Sequence, residues 1–232
     1  MALCRCASRA IVIETLELGR SWAGIDTAVR EFVDDRTLLA LDAPLGWPAA
    51  MTAALADHRA GGPLSGSANA IFRRRTDDEV AEALGKRPLD VGADRIARTA
   101  HAALGFLARL RKATGLPIPL AWRPGEVVRA SAVEVYPAGT LASRGLPSAG
   151  YKGASAQATS VRVAILEKLP EIQADPVAVG LMKQSDHALD AALCAVAAFD
   201  FLHAPVLEPE DLERATREGW IWVRATAEAP PR

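Results

Sequence analysis

Only three cysteines occur in the 232 residues. Cys4, Cys6 and Cys194 share no repeated spacing with each other or with the histidines, which excludes a disulfide framework and a zinc module alike. Charge of one sign is also lacking: the net charge is −1, so no broad basic field announces a nucleic-acid partner, although a local patch remains open. No apolar run reaches the roughly 18–20 residues that a membrane span needs, and the opening "MALCRCASRA" has no long apolar stretch of the signal-peptide kind. The expectation is a cytoplasmic protein with no membrane partner. Internal repeats are absent, and the length suits one large domain or two small ones with ample core.

What is present reads as alternating strands and helices. "ALCRCA" and "AIVIETLEL" predict a hairpin turning near Ser8 and Arg9. Trp22, Ile25, Val29 and Phe32 recur at helical spacing behind a Ser21 cap. "RTLLALDAPLGWP" is an apolar run stopped by Asp42, Pro44, Gly46 and Pro48, which suits a strand buried on both faces and ending in a rigid turn. "TDDEVAEALG" and "VGADRIARTAHAALGFLARLRKATG" predict two helices, with a loop at "RAGGPLSGSANAIFRRR" before them. Residues from about 50 to 120 therefore read as a helical insertion, because "SAVEVYPAG" resumes as a strand. A helix from about Ser155 to Leu169, a segment from Asp175, the helix "SDHALDAALCAVAAFDFL" and a short strand "GWIWVR" complete an α/β pattern within a single domain spanning 1–232.

Asp42, Glu134 and the pair Asp186/Asp190 share one property: each lies at or near the end of an otherwise apolar element. In an open α/β sheet, ligands gather beyond the carboxyl ends of the strands. Carboxylates gathered there repel one another unless a cation neutralises them, and hard divalent cations with oxygen ligands meet that need. Plainer roles compete. Asp186 suits a helix cap and Asp42 a turn residue before Pro44. Glu134 fits the solvent side of an alternating strand, and His187 an ordinary surface histidine. Asp190 is harder to explain plainly, because it precedes "AALCAVAAF", apolar on every face, and a buried aspartate requires a partner; a lysine or arginine would serve.

Five motifs, "LLALDAPLGWP", "FRRRTDDEV", "VEVYPAGTL", "DHALDAALCAVAAF" and "EGWIWV", occur in this order over nearly the whole chain. Together they resemble a bacterial family of unknown function, DUF429, for which a ribonuclease-H-like fold is predicted. The "DHALDA" helix also resembles the last catalytic helix of Holliday-junction resolvases in that superfamily. The resemblance implies a mixed sheet with flanking helices and a helical insertion. It further implies a two-metal nuclease site with Mg²⁺ or Mn²⁺ on Asp42, Glu134 and Asp190, and with Asp186 as an accessory carboxylate. Nucleic acid is the implied partner, and Arg75 and Asp77 of "RRTDD" are candidate substrate-binding residues, with a helix cap and a solvated basic run as their plain alternative.

Relatives in that superfamily begin with a strand carrying a Gly-x-Asp motif whose aspartate is the central metal ligand. The present chain opens at "MALCRCAS", which resembles the second strand, and Asp26 in "AGIDTAV" sits amid helical spacing too close to Asp42. The first strand is therefore expected to be absent from this chain, which would then bind metal poorly and turn over little. Two other classes compete with a nuclease: a nucleotide-binding phosphotransfer protein, for which "GGPLSGSAN" is the only phosphate-loop candidate, and a non-catalytic binding protein.

Overall fold

The alternating segments at the start form a hairpin, β1 (Ala2–Ala7) antiparallel to β2 (Ala10–Leu16), with the turn at Ser8 and Arg9. The computed structural model describes residues 1–19, 22–92 and 94–226, without the side chains of Trp22, Ala23 and Asp94. Helix α1 (Trp22–Phe32) follows, and it buries Val29 and packs Ile25 against α-helical and strand residues of the core. Its expected cap, Ser21, and the side chain of Trp22 lie outside the described residues. Asp26 projects from α1 into an ion pair with Arg109, so it stands on a helix and away from Asp42, as its spacing implies.

Strand β3 (Leu38–Leu41) ends at Asp42. Four helices then fill the stretch read as an insertion: α2 (Ala49–Ala56), α3 (Ala68–Phe72), α4 (Arg75–Leu84) and α5 (Asp94–Thr114). Helix α3 was not expected; it forms inside the supposed loop because the Ser67 hydroxyl accepts from the Ala70 N–H and caps it. The chain returns as β4 (Ser131–Glu134), α6 (Pro137–Ser143), α7 (Ala156–Leu166), β5 (Ile172–Gln173), α8 (Pro176–Gln184), α9 (Asp186–His203) and α10 (Leu212–Glu218).

The strands make two small sheets. One has the order β1-β2-β5, with β2 and β5 parallel; the other pairs β3 and β4 in parallel, Leu41 opposite Glu134. Among the described residues no strand joins the two sheets, and β1 and β3 each have one edge without a strand partner. That open edge explains why β3 is only half-buried rather than enclosed on both faces, whereas β4 is buried throughout. "GWIWVR" forms two isolated bridges, Ile221 to Glu134 and Arg224 to Val206, and no regular strand.

Helix α9 organises the molecule. Its sequence is apolar on nearly every face, so it can be covered all round, and it touches β1, β2, β3, α6 and α8. Leu189, Leu193 and Val196 pack with β2 and α7, while Cys194, Ala197 and Phe201 pack with β4 and the tryptophans Trp220 and Trp222. Helix α5 covers β3 on another side through Phe106, Leu107 and Leu110.

Candidate functional site

Parallel pairing of β3 and β4 brings the two strand ends level, and the Val135 N–H donates to the Leu41 carbonyl at 2.9 Å. Asp42 therefore leaves the sheet beside Glu134, at the carboxyl ends where α/β sheets collect ligands. Helix α9 passes close by: the Cys194 thiol meets the backbone of Asp42. Asp190, four residues earlier and so on the same face of the helix, is carried to the same place. Asp42 is open to water, yet the walls of a cleft surround it. This enclosure, followed by the charge of Asp190, pushes its carboxyl up to about 7; Glu134 adds to the rise and Lys152 opposes it. Among the described residues no hydrogen bond or ion pair holds its oxygens.

Such a shift has a sign that can be tested. A carboxyl whose acidity is weakened by folding stabilises the protein at low pH and loses that contribution as pH rises through about 7. Relative to wild type, Asp42→Asn should therefore gain stability between about pH 4 and pH 7. Denaturant midpoints of the two proteins at pH 4.5 and pH 8 check this, and a difference that does not grow with pH would remove Asp190 and the enclosure as its causes.

The two aspartates one turn apart on α9 grip the same short loop. Asp190, almost fully buried, accepts from the Tyr151 hydroxyl at 3.0 Å and pairs with the Lys152 ammonium. Asp186 accepts from the Gly153 N–H at 3.1 Å and from the His187 N–H at 3.0 Å. Burial opposes the ionised form of Asp186, but those N–H groups and the nearby His187 and Lys152 charges outweigh it and hold its carboxyl below the usual carboxylate pKa. Arg162, completely buried, fixes the loop from behind by donating to the Tyr151 carbonyl at 2.6 Å and the Gly153 carbonyl at 2.8 Å. Burial and the Asp190 charge hold the Tyr151 phenol far above its ordinary range, so it stays a donor to Asp190.

Glu134 has a different partner from the one expected. Arg74 donates to both of its oxygens, at 2.7 and 2.9 Å, and the Leu45 N–H donates to one of them at 2.8 Å. Arg74 also reaches Asp77 at 2.9 and 3.3 Å, and all three side chains are buried. Burial opposes a charged Arg74, but the two carboxylates overcome it and hold the guanidinium firmly protonated. Glu134 is thus neither solvent-facing nor free to ligate a metal. It anchors the Asp42–Leu45 turn through Leu45. The neighbouring Gly46 is required by close approach, since a Cβ there would lie 2.3 Å from the Glu218 carbonyl oxygen.

The expected substrate residues are also occupied. Asp77 forms a capping box with the backbone of Arg74. Arg75 pairs with Glu79 and Glu210 and gives its N–H to Glu218. Neither lines the cleft, and it is Arg74 of the triple-arginine run that does. "GGPLSGSAN" connects α2 to α3, two helices rather than a strand and a helix, so it lacks the context of a phosphate loop.

The cleft measures about 490 Å³, and Asp42, Glu134, Tyr136, Tyr151, Lys152 and Lys86 are among its lining residues. A shallower depression of about 590 Å³ at Gly92, Arg98 and His101 has no carboxylate among its described lining residues. Among the described residues no group of three Asp, Glu, His or Cys side chains is poised to hold a metal ion. A three-carboxylate set does not fit this arrangement, because Arg74 neutralises Glu134. Asp42 and Asp190 fit one hard cation that keeps most of its water, as Mg²⁺ commonly does with one or two carboxylates, once the Lys152 ammonium yields its place on Asp190.

Sequence reasoning missed Arg74, Tyr151, Lys152 and Arg162. The only local signal was "GYKG", a tyrosine and a lysine framed by Gly150 and Gly153, both of which adopt positive φ and fix a tight loop.

A family described as "Protein of unknown function (DUF429)" matches residues 3–205. No curated protein and no solved structure matches the chain.

Proposed function

The chain belongs to the DUF429 family, and on that footing we propose that it is a metal-dependent hydrolase of phosphodiester bonds, a nuclease of ribonuclease-H-like ancestry. The observation that carries this reading is a like-charged pair at the carboxyl end of a parallel strand pair: Asp42, which lines a cleft together with two lysines, and the buried Asp190 close enough to act on its charge. Enclosure by the cleft walls, followed by the charge of Asp190, keeps Asp42 from ionising readily, and a divalent cation would relieve the repulsion between the two carboxylates.

Asp42 and Asp190 would hold a Mg²⁺ or Mn²⁺ ion, which would supply Lewis acidity for phosphodiester hydrolysis. Tyr151 fixes the Asp190 carboxylate by donating its hydroxyl to it. Lys152, half exposed on a four-carbon stem, is free to exchange Asp190 for a substrate phosphate, a point-charge role that suits lysine. Arg74 and Glu134 act on Asp42 at one remove, by fixing the turn that carries it. With two carboxylates in place of the larger set that the superfamily uses, turnover is expected to be slow.

A second reading draws on the same geometry. Arg74 and Lys152 already neutralise two of the acids, which suits a binding protein with no chemistry. Incubation with single-stranded, duplex and branched DNA and RNA in Mn²⁺, with EDTA controls, separates the two. Cleavage that EDTA abolishes supports the hydrolase. Intact substrates throughout would favour the binding protein.

A further inference from the structure

The hydrolase reading leaves part of the cleft unused. Pro88, Leu89 and Ile96, from the connection into α5 and its first turn, line it together with Ala138 and Ala149. Leu89 is 68% exposed, a large apolar side chain left in water on the rim of a concave site. Lys86 lines the same cleft and, among the described residues, has no hydrogen bond or ion pair of its own. The lining therefore combines an unengaged ammonium, and the half-exposed one of Lys152, with the apolar side chains of Pro88, Leu89 and Ile96.

We propose that this cleft seats one unpaired nucleotide, with its phosphate on Lys86 and Lys152 and its base lying against Leu89 and Ile96. The phosphate half of the assignment rests on the hydrolase reading, while the base half rests on the apolar wall alone. The volume of about 490 Å³ falls within the range of about 300–1,000 Å³ typical of sites that enclose a single small molecule. A base in a duplex hides both faces in the stack, and only an unpaired or flipped base can offer one to a protein surface. Apolar side chains take such a face without regard to base identity. The seat thus selects single-stranded segments and ends, and it reads no sequence.

Fluorescence anisotropy tests this with a labelled oligothymidylate and a labelled, fully paired hairpin, in EDTA so that no turnover intervenes. Wild type should bind the single strand at least about tenfold more tightly than the hairpin. Leu89→Ser, on an exposed position where folding is not at risk, should weaken single-strand binding roughly tenfold. Leu89→Met should retain it. Equal affinity for strand and hairpin, or an unchanged affinity in Leu89→Ser, overturns the seat. The two readings fail separately. Leu89-dependent strand binding with no cleavage of any substrate keeps the seat and removes the hydrolase. Metal-dependent cleavage of duplex at full rate in Leu89→Ser removes the seat and keeps the hydrolase.

Discussion

Replacing Arg74 with methionine is expected to lower stability by about 3–5 kcal/mol, the usual cost of breaking a buried ion pair by removing one partner. For a chain of this size that corresponds to a melting temperature lower by about 10 °C. The loss comes less from the missing attraction than from what remains. Glu134 and Asp77 are both buried, and without the guanidinium they become uncompensated carboxylates in a poorly hydrated place. Adding Glu134→Gln to the methionine variant should therefore recover part of the loss, because an amide costs far less to bury than an unpaired charge. Arg74→Lys should fall between, since an ammonium cannot serve two carboxylates through paired donors as the fork does. Thermal melts of the four proteins decide it. A double variant less stable than the single one would mean that Glu134 is held by something other than Arg74.

The second large effect is on catalysis. Asp42→Asn and Asp190→Asn should each reduce metal-dependent cleavage by more than about 100-fold. Loss of a group that merely supports a ligand already costs about 10–100-fold, and these residues would touch the cation directly. Asparagine keeps the shape and an acceptor oxygen but not the charge that holds a hard cation. Folding should survive in both. Among the described residues the Asp42 carboxylate has no hydrogen bond to lose, and an amide at 190 still accepts from Tyr151, while its ion pair with Lys152 is half exposed. Asp186→Asn gives the contrast: among the described residues its two oxygens take one backbone N–H each, of which an amide oxygen keeps one, so the rate should change a few-fold at most. A loss at position 186 equal to that at 190 would show that the clamp on the loop matters more than the carboxylate pair.

The strand ends and the helices around Val29, Val80 and Leu107 were legible because hydrophobic period and turn residues act locally. Partner choice among buried charges was not. Glu134 sits in an alternating segment that reads as half solvated, and nothing local reveals that Arg74, 60 residues away, closes over it. In "RRR" the three arginines are indistinguishable by pattern. Tertiary packing alone buries Arg74 and leaves Arg75 on the surface with Glu79 and Glu210. The pair Asp186/Asp190 read as two carboxylates facing one site, and they do share a face. What they share is the loop from Tyr151 to Gly153, with only Asp190 also meeting Asp42. The family resemblance held at the level of the family and of an α/β chain with a small mixed sheet. "GWIWVR" did not form a ladder, because its backbone pairs with β4 at Ile221 alone and with Val206 at Arg224.

Direct titration with Mn²⁺, followed by the loss of its free electron paramagnetic resonance signal, bears most immediately on the proposed pairing of Asp42 and Asp190. The wild-type protein should take up one ion per chain, weakly. Asp42→Asn and Asp190→Asn should each bind at least about tenfold more weakly, and Lys152→Met at least as tightly as wild type, since the ammonium competes for Asp190. Mn²⁺ uptake that is the same in wild type and in both asparagine variants, or that never saturates, would contradict a cation site on these two carboxylates.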